Sequence, residues 1–246
     1  MQANWTLPPD ELILNINQVD IWLVSTKASL DTVQQAESSL SADETQRAAK
    51  FRFEKDRIRF VISHVALRDV LSRYLHIEPR EISFTVGEYG RPSVGSIQNL
   101  DFNLSHSGDY ALIAIARGRK VGVDVECFRD ELEIEKIARR FFSQNENDEL
   151  MSLPPDQQQI GFFNCWTRKE AYIKAHGLGL SLPLDGFDVS LSPNEPAKLR
   201  ATRPNAHEAS RWTLLALETD SRHAGAVAVE GRELEFRFWD WTLIGD

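Results

Sequence analysis

The amino-acid sequence predicts an α+β protein, on the basis of three observations. Apolar runs with the composition of buried strands occur in both halves of the chain, as at residues 19–25 (VDIWLVS). Longer stretches with a helical spacing of apolar residues lie between them, as at residues 60–74 (FVISHVALRDVLSRY). A short charged turn at residues 117–120 (RGRK) separates two of the apolar strands. We therefore expect an N-terminal lobe of residues 1–118 and a C-terminal lobe of residues 119–246.

The N-terminal half begins with an irregular arm, residues 1–18, which contains the breaker Pro8-Pro9. Ser41 is predicted to open a helix, because Glu44 three residues later completes a capping-box pattern. The remaining elements, in order, are a strand at 19–25, a helix ending near 74, a strand at 82–86, a turn at 90–92, and strands at 102–105 and 110–116. This order places Ser105 and His106 at the end of a short strand.

The C-terminal half begins with a predicted strand at residues 121–126 (VGVDVE). Pro154-Pro155 is expected to separate two helices, the second beginning at Gln159 and ending at Gly177 and Gly179. The other elements are helices at 132–142 and 145–153 and strands at 182–191, 211–217, 224–229 and 234–241. The similar openings Val19-Asp20-Ile21 and Val123-Asp124-Val125 are a weak indication that the two lobes are related.

Composition and charge exclude several classes of function. The net charge of −9 argues against non-specific nucleic-acid binding, which depends on Lys and Arg. No stretch is long and apolar enough to span a membrane, and the first lysine, Lys27, comes too late for a signal peptide. Cys127 and Cys165 are the only cysteines, too few for a disulfide framework. We expect a cytoplasmic, reduced monomer that binds neither nucleic acid nor membrane.

Asp124 and Glu126 form the first candidate site. In a strand, alternate residues point to opposite faces, so the three valines of VGVDVE face one side and both carboxylates face the other. Two carboxylates held that close raise each other's pKa unless a cation neutralises them. Mg²⁺ commonly takes one or two protein carboxylates together with substrate phosphates. The alternative is an exposed strand edge with two solvated acids.

Glu170 forms the second candidate, within WTRKEAYIK at residues 166–174. At helical spacing it falls on a stripe with Phe163, Trp166 and Ile173, where a carboxylate needs a partner or a metal. Lys174 lies four residues on, within reach of Glu170 or of an anion bound nearby. The alternative is an ordinary surface pair of Glu170 and Lys174.

Three further segments carry candidate anion contacts. Residues 47–59 are strongly basic, and either most of these side chains are solvated or one or two of them hold a phosphate. The turn Gly90-Arg91-Pro92 presents Arg91 on a fixed backbone. The segment FNLSHSG at 102–108 ends in small hydrogen-bond donors, which suit an anion better than an apolar core.

Taken together, these motifs resemble the 4′-phosphopantetheinyl transferases. FNLSHSG, then GVDVE, then WTRKEAYIK is a specific order, and EYGRP at 88–92 is similar to the Sfp-type branch of the family. The resemblance covers residues 41–189. It implies two similar α+β lobes with the active site between them. It also implies an Mg²⁺-dependent enzyme that transfers the phosphopantetheine arm of coenzyme A (CoA) onto a serine of an apo acyl or peptidyl carrier protein, with release of 3′,5′-ADP.

The resemblance also assigns residue roles. Asp124, Glu126 and Glu170 would be the metal-binding carboxylates. Lys174 would contact the CoA pyrophosphate, and Glu170, Lys174 and Asp124 would be the catalytic residues. The expected CoA contacts are Arg47, Lys50, Arg91, Ser105 and His106. Two positions depart from the family pattern: Arg91 replaces the usual Lys, and Glu44 stands where relatives often carry a Lys.

The residue chemistry agrees with phosphoryl transfer, which needs alignment and charge neutralisation more than covalent help from the protein. Glu170 is the candidate base for the incoming serine hydroxyl, but the sequence does not decide between base and metal ligand. One alternative is a non-catalytic homologue that binds CoA or a carrier protein. Another is a different Mg²⁺-dependent phosphotransferase or nuclease, which would need a P-loop or a basic face that the sequence lacks.

Overall fold

The computed structural model describes residues 4–95 and 99–242; the ends of the predicted arm and C-terminal lobe, 1–3 and 243–246, lie outside the described residues. The protein has a mixed α+β architecture, as predicted. The helices are α1 (Leu30–Ala36), α2 (Ala42–Ala48), α3 (Glu54–Leu75), α4 (Ile134–Phe141), α5 (Gln144–Ser152) and α6 (Pro155–His176). Within the described ranges, none of them combines the length and apolar character that a membrane crossing requires.

In the part of the chain that the structure describes, the strands form two main sheets and two short two-stranded ones. The strands are β1 (Gln18–Ser25), β2 (Thr85–Val86), β3 (Pro92–Ser93), β4 (Leu100–Ser107), β5 (Tyr110–Arg117), β6 (Val121–Cys127), β7 (Phe187–Val189), β8 (Leu199–Thr202), β9 (Trp212–Leu217), β10 (His223–Glu230) and β11 (Glu235–Trp241). The first sheet has the order β11-β1-β5-β4, and the second has the order β6-β10-β9. Strands β2 and β3 pair with each other, as do β7 and β8.

The two main sheets pack face to face, and each is covered by one long helix. Trp22 of β1 points outward into a core shared with α3. Ile21, its neighbour, points inward to a second core, where it meets Val123 of β6. The other face of the second sheet packs on α6, around residues such as Phe162. The period-2 alternation of the strands therefore produces three apolar layers from two sheets and two helices.

Strand β11 joins the sheet that begins with β1. It runs parallel to β1, with Gln18 opposite Glu235 and Val24 opposite Trp241. The fully buried Asp20 of β1 receives hydrogen bonds from Arg237 of β11 and from Tyr74 of α3. The boundary at 118/119 stays a prediction, but this strand of the predicted C-terminal lobe is hydrogen-bonded to the first sheet.

Several predicted boundaries were wrong. Helix α6 begins at Pro155 rather than Gln159, because proline at the first helical position lacks only an N–H that would have no partner. The strand predicted at 182–191 is limited to β7, preceded by short 3₁₀ turns, and that at 82–86 is limited to β2. The capping box of Ser41 and Glu44 is confirmed, and so is the end of α6 at Gly177, which is left-handed with φ 72°.

The sheets meet where β4 of the first lies against β6 of the second. Alternate side chains of β4 accept hydrogen bonds of 2.8 to 3.4 Å from alternate backbone N–H groups of β6, always 20 residues later. The pairs are Asp101 with Val121, Asn103 with Val123, Ser105 with Val125, and Ser107 with Cys127. These side chains satisfy the free edge of β6, which would otherwise bury unpaired donors. We call this contact the β4–β6 junction.

Candidate active site

Gly122 brings α6 into close contact with β6. It lies on the same face of the strand as Asp124, and a methyl carbon built on it would overlap Ala171 O and Ala175 N of α6. Only glycine leaves room for the helix backbone at this distance. As a result, the last two turns of α6 lie directly over β6, and Lys174 comes within reach of Asp124.

Asp124 is the centre of the site. It is 4% exposed, and its Oδ1 accepts hydrogen bonds from Lys174 Nζ at 2.6 Å and from Ser105 Oγ at 2.8 Å. Lys174 Nζ also donates to Ser105 Oγ at 2.9 Å. Side chains from β4, β6 and α6 therefore converge on one carboxylate oxygen. Its other oxygen, Oδ2, is buried and has no hydrogen-bond partner among the described residues.

Glu126 and Glu170 lie beside Asp124 in a cavity of about 390 Å³. Burial raises the pKa of both carboxyls, and the neighbouring charge of Asp124 raises each further. Glu126 accepts a hydrogen bond from Ser107 Oγ at 2.8 Å. We call this space the carboxylate cavity; its lining residues are Leu104, Ser105, His106, Asp124, Glu126, Trp166, Glu170 and Lys174. The rise in carboxyl pKa expected from two neighbouring acids is thus present at Glu126.

The simple surface pair of Glu170 with Lys174 is not formed. Lys174 instead makes its ion pair with Asp124. The Glu170 carboxylate makes no hydrogen bond or ion pair within residues 4–95 and 99–242, although it is half-buried. A half-buried carboxylate without a partner is available to accept a proton or to bind a cation.

A second, larger cavity of about 620 Å³ adjoins the first, and Leu104 and His106 line both. We call it the basic cavity because Arg47, Arg68 and Arg80 also line it. The pKa of His106 is lowered by desolvation and by the charge of Lys174. Arg47 stacks over the Phe60 ring at 5.3 Å, whereas Lys50 is exposed and lines neither cavity.

Glu44 also lines the basic cavity, where it pairs with Arg68 instead of opening to a ligand. Arg68 Nε donates to its carboxylate at 2.7 Å, and the Ser41 N–H donates at 2.9 Å. Burial alone would raise the pKa of Glu44, but these hydrogen bonds outweigh it and lower the pKa. The negative charge at this unusual position is therefore neutralised inside the protein.

Two family models together match most of the chain. The 4′-phosphopantetheinyl transferase superfamily matches residues 120–228, and the N-terminal region of 4′-phosphopantetheinyl transferases matches residues 25–117. The transferase HetI of Nostoc sp. is 37% identical over 244 residues, which cover 98% of this chain and all of HetI. This chain belongs to the 4′-phosphopantetheinyl transferases. Sfp of Bacillus subtilis is 33% identical across 69% of this chain and 74% of Sfp, and Gsp of Aneurinibacillus migulanus is 36% identical across 84% and 88%.

Membership of the transferases confirms the predicted enzyme class, the transfer of phosphopantetheine from CoA to a carrier protein. It does not favour the non-catalytic alternative, because the relatives that cover the site are named as transferases. The motif order that predicted the family lies within the matched ranges, since Ser105 falls in residues 25–117, and Asp124, Glu170 and Lys174 fall in residues 120–228.

The carboxylates of this transferase supply some, but not all, of the oxygen ligands that a hard cation needs. Asp124 Oδ2 is an orphaned buried acceptor, and Glu126 and Glu170 offer further oxygens with raised pKa values. Within the described ranges, however, no group of three His, Cys, Asp or Glu residues is close enough to hold a metal alone. Oxygens of a bound ligand would have to complete the coordination, as is usual for Mg²⁺.

Sequence reasoning missed the residues that hold the site in place. Lys169, next to Glu170, is fully buried and pairs with Glu146 at 2.8 Å, while it donates to Leu184 O and Phe187 O. Asn103 and Ser107 belong to the β4–β6 junction, where Ser107 also holds Glu126. The available signal was the alternation of polar residues along β4, which indicates a polar partner on one face.

The guanidinium of Arg91 is held by acceptors of the protein itself. Its guanidinium donates to Asp101 Oδ1 at 2.7 Å, Val121 O at 2.8 Å and Ala175 O at 3.0 Å, and also to Lys174 O. Its role as a CoA contact stays a prediction.

Proposed function

We propose that the chain transfers the phosphopantetheine arm of CoA onto a serine of an apo carrier protein at the carboxylate cavity, with Mg²⁺ and with release of 3′,5′-ADP. The main support is the convergence of Ser105, Asp124 and Lys174 from three elements on one buried oxygen. Such an arrangement positions charge for phosphoryl transfer before the substrate arrives.

Asp124 and Glu126 would hold Mg²⁺ together with the CoA pyrophosphate, and Glu170 on the same cavity wall would serve as the base. When bound, the ion would neutralise the pyrophosphate and stabilise the charge that develops on the leaving group. Lys174 has the position to share that work, because its ammonium lies between Ser105 and Asp124 on the cavity wall. Its positive charge would be shared between Asp124 and the phosphate oxygens.

Glu170 is the proposed base. It is half-buried, has no partner within the described residues, and has a raised pKa caused by burial and by Asp124. It would take the proton from the serine hydroxyl of the carrier, directly or through water. The hydroxyl oxygen would then bond to the phosphorus next to the pantetheine arm, and the bond from that phosphorus to 3′,5′-ADP would break.

The adenosine end of CoA would occupy the basic cavity. Its volume of about 620 Å³ falls within the usual range for small-molecule sites. His106 lines both cavities and Ser105 lines the carboxylate cavity beside it, and both would contact CoA phosphates there. Arg47 lines the basic cavity and would contact the 3′-phosphate, whereas Lys50 could contribute only from outside it.

The fold supports a two-lobe arrangement with an approximate twofold relation. Each main sheet packs on one helix of 22 residues, α3 on the first and α6 on the second. The lobes would be residues 1–118 and 119–246, with the active site between them. We further propose a monomer that acts in the cytoplasm on acyl or peptidyl carrier proteins. Cys127 and Cys165 are both free, as a reducing compartment would leave them.

The test is transfer measured by mass spectrometry. Apo carrier proteins of fatty-acid, polyketide and peptide-synthetase type are incubated with CoA, Mg²⁺ and enzyme, and the carrier gains one phosphopantetheine. Asp124→Asn should lower turnover by about 10²- to 10³-fold, because the charge at the centre of the site is lost. Asp130→Asn is the matched control, since Asp130 is exposed and its partners among the described residues are Arg222 and Gln159, both outside the two cavities. Wild-type turnover in Asp124→Asn would refute the proposed site, and no transfer to any carrier would refute the function.

A further inference from the structure

Arg91 lies in the hairpin that joins β2 to β3, on the wall shared with the ligand cavities. Its neighbours Gly90 and Pro92 line the basic cavity, while Arg91 itself lines a smaller space of about 240 Å³ together with Glu170 and Lys174. The hairpin is closed by a hydrogen bond of 2.9 Å from Gly87 N–H to Arg91 O. The backbone of Arg91 is therefore held in place beside Glu170 and Lys174.

Both terminal nitrogens of the guanidinium bind protein acceptors. Nη1 donates to Ala175 O at 3.0 Å and to Lys174 O, both at the C-terminal end of α6. Nη2 donates to Asp101 Oδ1 at 2.7 Å and to Val121 O at 2.8 Å, at the start of the β4–β6 junction. The side chain is 19% exposed, and Asp101 supplies a counter-charge. A phosphate could bind these nitrogens only by displacing contacts that join three elements.

The contact with α6 has a direct link to the site. Carbonyls in the last turn of a helix lack partners within the helix, and a cation there also offsets the helix dipole. One of the two α6 carbonyls that Arg91 holds belongs to Lys174, whose ammonium donates hydrogen bonds to Asp124 and Ser105. Arg91 thus fixes the backbone of the residue whose side chain completes the site.

The same end of α6 is fitted closely around Arg91. Gly177, the left-handed residue that ends the helix, packs on it so tightly that a methyl carbon there would lie 3.2 Å from Arg91 Cδ. From these contacts we infer that Arg91 is a positioning residue for Lys174, not a ligand of CoA. This inference rests on the proposed function, because it assigns Lys174 a part in transfer.

Arg91→Lys tests the inference, because it keeps the charge but cannot form the fork. We expect kcat to fall by about 10- to 100-fold, since a small displacement of a catalytic group has effects of this size. The Kd of CoA, measured by calorimetry, should change less than about threefold on this view. Arg73→Lys is the matched control, because Arg73 forks onto Asp69 on α3, away from the site. A loss of CoA affinity with unchanged kcat would overturn the inference and support Arg91 as a CoA contact.

A double-mutant cycle separates positioning from a general structural effect. If Arg91 acts through Lys174, Arg91→Lys should lower kcat much less in a Lys174→Ala background than in the wild type. Equal effects in both backgrounds would overturn the inference.

Amide hydrogen exchange provides a readout that needs no turnover. Arg91→Lys should speed exchange in the last turn of α6, whereas Arg73→Lys should not. Unchanged exchange would refute the inference even if transfer is observed. A wild-type enzyme without transfer, but with faster exchange in the variant, would refute the proposed function and leave the contact of Arg91 with α6 standing.

Discussion

Gly122→Ala should damage the site by one added methyl group. That methyl carbon would lie 2.9 Å from the Cα of Ala175, and nearer still to Ala171 O and Ala175 N. Nonbonded carbon atoms are most stable at about 3.5–4.0 Å, so α6 would have to move away from β6 by about 1 Å. All three obstructing atoms belong to helix backbone, so no side-chain rotation can relieve the overlap.

The displacement should affect both stability and turnover. Overpacking of this kind costs about 1–3 kcal/mol of unfolding free energy. The same movement would draw Lys174 away from Asp124, to which it now donates at 2.6 Å. A misplacement of about 1 Å near reacting groups can lower turnover by roughly 10²-fold.

The assay compares Gly122→Ala with Gly225→Ala on the neighbouring strand. Gly225 faces the core between the sheets, and a methyl there would lie 3.0 to 3.2 Å from Leu217 and Leu112, a shortfall of only a few tenths of an ångström. We expect urea denaturation to show destabilisation of both variants, but carrier modification to fall only in Gly122→Ala. Wild-type turnover in Gly122→Ala, or an equal loss in both variants, would refute the reasoning that α6 sets the position of Lys174.

Three further predictions follow from buried or unpaired charges. Lys169→Met should lower the unfolding free energy by about 3–5 kcal/mol, because it leaves Glu146 buried without its counter-ion. The double variant with Glu146→Gln should recover part of this loss when both are compared by urea denaturation. Burial would raise the pKa of Asp188, but hydrogen bonds led by that from Arg203 lower it to about 2. The ionised carboxylate therefore adds about 1–2 kcal/mol to the unfolding free energy above pH 4, and this contribution is lost as the pH falls to about 2. Acid denaturation curves of Asp188→Asn should lack that loss of stability. Glu170→Gln should lower turnover by about 10²- to 10⁴-fold while CoA affinity stays unchanged; rescue by added Mg²⁺ would instead identify a metal ligand, and normal turnover would exclude both roles.

Much of the fold could be predicted because strand and helix periodicities are local. The residues facing inward from β1 and β6 follow directly from alternation. Boundaries failed where local rules compete. The pair Pro154-Pro155 predicts a gap between two helices, but proline is well tolerated at the first helical position, and α6 begins at Pro155.

The pairing of strands could not be predicted, since it depends on contacts between residues far apart in sequence. Nothing local to β11 indicates that it lies beside β1, because an apolar alternating strand fits either sheet. The packing of α6 on Gly122 was missed for the same reason. Strand alternation places Gly122 on the carboxylate face, but the helix that needs its small size begins 33 residues later.

The chemical type of a side chain is enough to nominate it as a candidate site residue. The residue that it binds in the folded protein is harder to predict. The sequence predicts that Lys174 lies near Glu170, because residues four apart are neighbours on a helix surface. Its contact with Asp124 crosses from α6 to β6 and depends on the tertiary fold. Arg91 shows the same difficulty. A cation in a turn suggests a contact with an anionic ligand, but in the folded protein its guanidinium donates to backbone carbonyls of Ala175 and Val121.

The place of β11 has a consequence for synthesis. Asp20 and Arg237 are 217 positions apart in sequence, yet they form a hydrogen bond within one sheet. While a ribosome is still adding the residues up to Trp241, β1 therefore has one unpaired edge, and Asp20 lacks its cation. Nascent domains often fold in order from the N-terminus, but here the first sheet must wait for its last strand. A chain stalled after β10 would expose that edge as a template for pairing with other chains.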